Sequence, residues 1–260
     1  MTLGKVGHFY YLLSIFTAPG MNRVIDRHVP VPVSRAVLPA LCIGYILPTI
    51  LMFVPFRDDV VWERMVIFWQ PSPVFFAVLT MLFSAGLRYV EERKTRAQAA
   101  LDGKTDHQVI VEKAADLYSK REVDSLKTTY AFVFFVSALV HVTTVVYSWL
   151  ATGRSISTTV VSLLGLDASM PSIFAGRWGT PDPAEGALIF FKFDMLFSAV
   201  PLLIFLLYTV WDIRKWGYIS TPEAKKVAVA VLVGQVLVGP AAAYAGLWYW
   251  RESVIADLCD

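Results

Sequence analysis

The chain has 260 residues, 56% of them hydrophobic and only 17% charged, with a formal net charge of +2. With a positive mean hydropathy, this composition describes an integral membrane protein and excludes an ordinary soluble domain. Cys42 and Cys259 give neither a disulfide framework nor a metal-ligand spacing, so no metal site is expected. The sole asparagine, Asn22, is followed by Arg-Val, which leaves no glycosylation sequon. No self-similarity at a fixed period is visible, and the expectation is one helical membrane domain over residues 1–260.

In chain order, His8 to Ala18 is an apolar run of about 11 residues, too short to cross a bilayer and read as an N-terminal half-helix. GMNRVIDRHVPVPVSR follows as a polar connector, kept extended by its prolines. Ala36 to Phe56 is the first span, with Pro48 as its expected kink. VVWERMVIFWQPSP is too short and polar to cross. Its tryptophans, Trp62 and Trp69, mark a segment lying at the membrane boundary. Pro73 to Val90 is the second span.

Residues 91–127 form the main polar excursion. Thr105-x-x-Gln108 reads as a capping box opening a helix through about Arg121. Acids are interleaved with its bases, so it reads as a solvated or membrane-surface helix and not as a nucleic-acid site. Thr128 to Leu150 is the third span and holds His141. Residues 151–186 form a second loop, rich in glycine and proline at its end. Ala187 to Val210 is the fourth span. Thr221-Pro222 predicts a helix start, with the threonine capping. Val227 to Trp250, interrupted by Gly239-Pro240, is the fifth. The predicted architecture is all-α: a polytopic bundle of about five full spans, plus the half-helix and the interfacial segment.

Charge sets the orientation. Residues 20–35, 88–127 and 211–226 hold three, nine and four of the 23 Lys and Arg. By the positive-inside rule those connectors are cytoplasmic. The 91–127 loop is then cytoplasmic, and the 151–186 loop, Arg251 and the C-terminus are lumenal or external.

Asp194 and Lys192 stand out, because a charge at membrane depth costs about 2.5–3.5 kcal/mol on insertion scales. Lys192, near its helix end, is read as a snorkelling anchor. Asp194 is too short to snorkel, and Lys192, two positions away, faces elsewhere. An apolar site disfavours the charged form of a carboxyl, which makes Asp194 a candidate general acid. Asp194 lies roughly 10 Å, and His141 roughly 13 Å, from the lumenal ends of their spans at 1.5 Å per residue. Glu63 and Gln70 belong to the interfacial segment on the same side, so Glu63, Gln70, His141, Lys192 and Asp194 are placed together as a candidate cavity lining. An interhelical hydrogen bond explains a lone intramembrane histidine equally well. Phe190, Phe191, Phe197, Phe135 and Tyr147 supply aromatic faces able to stabilise a cation. Simple packing or lipid contact is the plainer account of them.

FYYLLSIFTAPGMNRVIDRHVPVPVSRAVLPALCIGYILPTILMF, IFWQPSPVF, SALVHV, FKFDMLFS and GPAAAYAGLWYWRE, in that order, resemble segments of fungal integral-membrane terpene cyclases of meroterpenoid pathways. The resemblance implies a lipophilic prenylated substrate, protonation of an epoxide or olefin on its farnesyl-type chain, and ring closure through carbocations. It implies no cofactor, and an endoplasmic-reticulum membrane. On it Asp194 is the proton donor, and His141 and Gln70 tune or orient it; Glu63 is a further catalytic candidate, although a solvated pair with Arg64 is the plainer account of it. Gln70, Trp69 and the aromatics above line the substrate site. A sterol-type double-bond isomerase and a non-catalytic lipid-binding scaffold are the alternatives.

Overall fold

A computed structural model describes residues 29–54, 58–103, 121–153, 155–163 and 183–258, with Leu13, Ile15, Asn22, Thr105, Gln108 and Val111. Over 183–195 it describes the helix alone. The described residues are helical and contain no strand. Among the described residues, four helices are long and apolar enough to cross a membrane: Val31–Phe53, Ser72–Leu101, Glu122–Thr152 and Leu196–Lys215. The expected half-helix lies almost wholly outside the described residues. The chain divides into two compact units, one of His28–Thr129 and one of Met1–Arg27 with Tyr130–Asp260.

In the unit of residues 28–129, α1 (Val31–Leu41) continues through one wide turn, Cys42–Ile46, into α2 (Leu47–Phe53). Pro48 explains the widening: it has no N–H to donate, and its ring collides with the carbonyl four residues back. Ala36, Ala40, Gly44 and Pro48 are all buried, a small or compact residue at every fourth position. Such a stripe lets a neighbouring backbone approach closely. The neighbour is α4 (Ser72–Leu101). A Cβ on Gly44 would stand 2.8 Å from the Phe76 nitrogen and 2.9 Å from its Cα.

Between them, α3 (Asp59–Trp69) starts on Asp58, whose carboxylate accepts from the Val60 N–H at 2.9 Å. Trp62 Nε1 donates to the Met52 carbonyl at 3.2 Å, and Trp69 Nε1 to Thr49 Oγ1 at 3.0 Å. The boundary tryptophans thus fasten α3 to α2.

The second span is longer than expected, for α4 runs 30 residues and carries the charged stretch 91–101 as helix. Thr105 and Gln108 form the expected capping box: the Thr105 N–H donates to Gln108 Oε1 at 3.0 Å and the Gln108 N–H to Thr105 Oγ1 at 3.5 Å. Most of the helix expected after it lies outside the described residues.

In the other unit, α5 (Arg121–Thr152, entering it at Tyr130) and α6 (Ile156–Leu163) precede α7 (Pro183–Lys215), α8 (Thr221–Leu237) and α9 (Pro240–Asp257). The loop expected at 151–186 contains α6 and the start of α7. Gly217, at φ 77°, closes α7. Tyr218 N–H reaches the Ile213 carbonyl at 3.2 Å and Gly217 N–H the Arg214 carbonyl at 2.9 Å, the double bond pattern of a Schellman ending. Ser220, one residue before the expected Thr221, caps α8 through the Glu223 N–H. Thr221 Oγ1 instead accepts from Arg214 Nε at 2.9 Å. Leu206, Val210, Ile213, Ile219, Ala224, Val231 and Leu247 form the buried core of these three helices.

The expected fifth span, Val227 to Trp250, is two helices. Gly239 adopts φ 90°, a conformation open to glycine and costly to other residues. The chain turns back there, with Pro240 starting α9. Arg251 consequently lies at the Lys215 end of α7, bonded through Asn22 to Asp212. Its expected placement on the opposite side, with the C-terminus, is therefore corrected. Arg251 joins the Lys/Arg-rich end of this unit.

Two outcomes follow. Gly44→Ala should lower stability by about 1–3 kcal/mol through backbone overpacking, read as a lower unfolding midpoint in detergent. Gly86→Ala, where an added Cβ meets nothing within 4 Å, should leave it unchanged. A protease-cleavable tag after residue 260 and another within residues 216–220 should be cut from the same membrane face; cleavage from opposite faces would contradict the reversal at Gly239.

Candidate functional site

Helix register within the unit of residues 130–260 places the candidate residues. Along α5 and α9, Tyr130 stacks on Trp248 at 6.3 Å. A Cβ on Gly246 would stand 3.3 Å from the Phe134 ring, and one on Gly239 2.8 Å from His141 Cγ and Nδ1. These two helices are antiparallel. Phe205 of α7 stacks on Trp248 at 6.5 Å, and farther along both helices Asp212 and Arg251 share Asn22. Those two are parallel. Counting nine residues back from Phe205 and from Trp248 gives Leu196 and Gly239. The Asp194 position on α7 is thus within about one turn of the level of His141. The side chains of Asp194, Lys192, Phe190 and Phe191 lie outside what the structure describes.

His141 Nε2 donates to the Val236 carbonyl at 3.1 Å. Val236 is in the last turn of α8, where carbonyls lack partners within the helix. The imidazole therefore fixes the α8 end while pressing against Gly239, which is the interhelical-bond account in a specific form. Phe135, Tyr147 and Phe197 are exposed, as lipid-facing or substrate-facing rings must be. Glu63, Trp69 and Gln70 belong to the unit of residues 28–129. Glu63 and Gln70 are exposed on and just after α3, and the Trp69 indole is bonded to Thr49.

The most concentrated polar chemistry lies at the other end of α7, about 27 Å from Asp194 at 1.5 Å per residue. Asn22, Asp212, Arg251 and Glu252 are 0%, 4%, 4% and 3% exposed. Asn22 Nδ2 donates to Asp212 Oδ2 at 2.8 Å, and Arg251 Nε donates to Asn22 Oδ1 at 2.7 Å. Arg251 Nη1 is paired with Glu252 Oε1. The guanidinium lies 4.5 Å from the Trp248 ring centroid. Around Trp248 stand Tyr130, Phe205 and, at 5.8 Å, Tyr244. Buried charges survive only when paired and hydrogen-bonded, and these three are built into one network with a neutral amide at its centre.

This quartet combines what acid-initiated chemistry on an apolar molecule requires: two carboxyls, a fixed cation and aromatic faces. None of its four members stood among the sequence candidates. The signal was present: the chain has one asparagine, and Arg251-Glu252 closes the phrase GPAAAYAGLWYWRE. Among the described residues no group of three or more His, Cys, Asp or Glu is arranged to hold a metal ion.

The reversal at Gly239 and its fit to His141 are testable as a pair. Gly239→Ala should destabilise, from the positive φ and from the collision with the imidazole. In a His141→Ala background its cost should shrink, giving a coupling of about 0.5–3 kcal/mol in a double-mutant cycle. Additive costs would mean that the ring and the turn do not fit against each other.

Residues 1–256 match the family model of the CtvD domain. The chain is also 25% identical over 258 residues to "FAD-dependent monooxygenase verC1" of Penicillium polonicum, covering 98% of this chain and 27% of that protein. It therefore spans about a quarter of the length of this curated relative. No solved structure matches the chain. The relative's name, which speaks of FAD dependence, is that of a protein nearly four times as long as the stretch matched here. The G-x-G-x-x-G fingerprint that follows a strand in dinucleotide sites is absent from the sequence, and the described residues include no strand to carry it.

Proposed function

The chain belongs to the CtvD domain family, a family related to fungal secondary metabolism, and from that premise we propose that it is a metal-independent membrane cyclase acting on a lipophilic prenylated precursor. A carboxyl of the bundle delivers a proton to an epoxide on the farnesyl-type chain. The C–O bond opens, its electron pair stays on oxygen, and the hydroxyl forms. A neighbouring π bond attacks the electron-deficient carbon and closes a ring. Loss of a proton from the final cation returns that proton to the carboxylate, so no oxidant or reductant is consumed. The observation that carries this reading is the buried Asn22–Asp212–Arg251–Glu252 quartet against the Trp248 aromatic cluster. Ionisable groups inside a membrane bundle are expensive and are usually kept for function.

The relative's name favours the epoxide over the olefin as the group attacked. Flavin monooxygenases include enzymes that convert an olefin to an epoxide, and an acid that opens epoxides is the natural next step. Asp194 and Asp212 both stand on α7 and are the two carboxyls in play, with His141 level with the first. Glu63, on the boundary helix α3, is proposed as an assisting carboxyl.

The test is incubation of membranes containing the protein with an epoxyfarnesyl phenol. The expected product is a cyclised isomer of unchanged mass, and removing its acid should cost about 10²-fold or more in rate. Asp194→Asn and Asp212→Asn, assayed side by side, identify the donor. No product from well-inserted protein with epoxidised prenyl substrates would overturn the cyclase reading and leave a scaffold.

A further inference from the structure

The quartet contains two carboxyls, and the structure gives them unequal surroundings. Glu252 is held by the Arg251 guanidinium. Asp212 is not: the group between it and Arg251 is the amide of Asn22, which donates to Asp212 Oδ2 at 2.8 Å and accepts from Arg251 Nε at 2.7 Å. Asp212 is only 4% exposed, and its printed side-chain partner is this neutral amide. Trp248 Nε1 is a buried polar atom of the same cluster with no hydrogen-bond partner among the described residues. Orphaned polar atoms in an otherwise satisfied interior are rare and call for an explanation.

We propose that Asn22 is a positioning residue that keeps Arg251 off Asp212, leaving Asp212 as the acid that meets the substrate oxygen and Glu252 as the fixed counter-ion of Arg251. This rests on the cyclase reading and names its donor. The two jobs demand different neighbours. A proton donor must not be locked in an ion pair with a guanidinium, whereas a counter-ion must be. The transferable sign of an acid–base assignment is a pair of titratable groups placed in contrasting environments. Asparagine suits the central position because one side chain both donates to a carboxyl and accepts from a guanidinium. An aspartate there would put a second negative group against Asp212. An aliphatic residue would leave Arg251 and Asp212 free to close on each other. The Trp248 ring, its centroid 4.5 Å from the guanidinium, gives the cation a further partner.

The proposal separates the four side chains by what each variant does. Asp212→Asn should abolish cyclisation, by about 10²-fold or more. Asn22→Ala should lower kcat by about 10²-fold, the scale of a misplaced reacting group, with KM little changed. Asn22→Gln, which keeps both hydrogen-bonding functions, should recover part of that loss; this protects the test if the alanine variant folds poorly.

A second readout is independent of turnover. Dicyclohexylcarbodiimide, an apolar reagent that adds to carboxylic acids but not to guanidinium-paired carboxylates, should modify Asp212 in preference to Glu252, as mapped by peptide mass spectrometry. Asn22→Ala should suppress that modification. Preferential labelling of Glu252, or an Asn22→Ala protein that keeps both full turnover and Asp212 labelling, would overturn the assignment. If Asp212 is labelled in the expected pattern but no epoxide is cyclised, the cyclase reading fails while the unequal environments of the two carboxyls stand.

Discussion

The arrangement of the C-terminal helices depends on one backbone conformation, the positive φ of Gly239. A continuous helix from Val227 onward would have carried Arg251 and Glu252 to the far end of the bundle from Asp212. A reversal brings them back along α7. Nothing but glycine adopts that φ without strain, and nothing larger fits, since His141 occupies the space where a Cβ would stand. The same histidine satisfies a carbonyl in the last turn of α8. One residue thus closes the corner by shape, and its neighbour closes it by hydrogen bonding. Without both, a helix end at that place would expose unpaired carbonyls in an environment with little water to accept them.

How far the fold was legible follows from which signals survive in a linear pattern. Apolar runs mark the first four spans because length and hydropathy are properties of a segment alone. The Thr105–Gln108 capping box was legible for the same reason: its two partners are three residues apart. The charged stretch 91–101 reads as loop by polarity, yet it is helix. Its residues are strong helix formers, and Arg96 pairs with Glu92 one turn away. Gly239-Pro240 was visible as an interruption, but a hydropathy pattern does not distinguish a kink from a reversal. That distinction lies in the sign of one φ, and in what stands against it from α5.

The polar quartet was less legible still, because its bonds join residues 190 and 229 positions apart. Asp194 drew notice by sitting in the middle of an apolar run. Asp212, Arg251 and Glu252 sit beside other charges near helix ends, where polarity normally signals solvent. Asn22 lies in a connector that reads as surface. Only the packing of α7 and α9 turns that ordinary-looking polarity into burial. The depth agreement between Asp194 and His141, by contrast, was readable from span lengths, since both positions are counted along helices of known rise.

Burial also bears on why such a network exists. Taking two carboxyls and a guanidinium out of water costs more than their attraction typically returns, and apolar replacements of similar shape are often as stable or more so. A chain selected only for bundle stability would gain by filling this volume with leucine and phenylalanine, as the surrounding core already does. The network is also asymmetric. Arg251 meets Glu252, Asn22 and the Trp248 face, while Asp212 is held by the neutral Asn22 amide. A purely structural clamp would gain more from setting both carboxyls against the cation, because charge-assisted hydrogen bonds are the stronger ones. An acid awaiting an oxygen-bearing ligand needs a neutral neighbour instead, and the amide of Asn22 is that group.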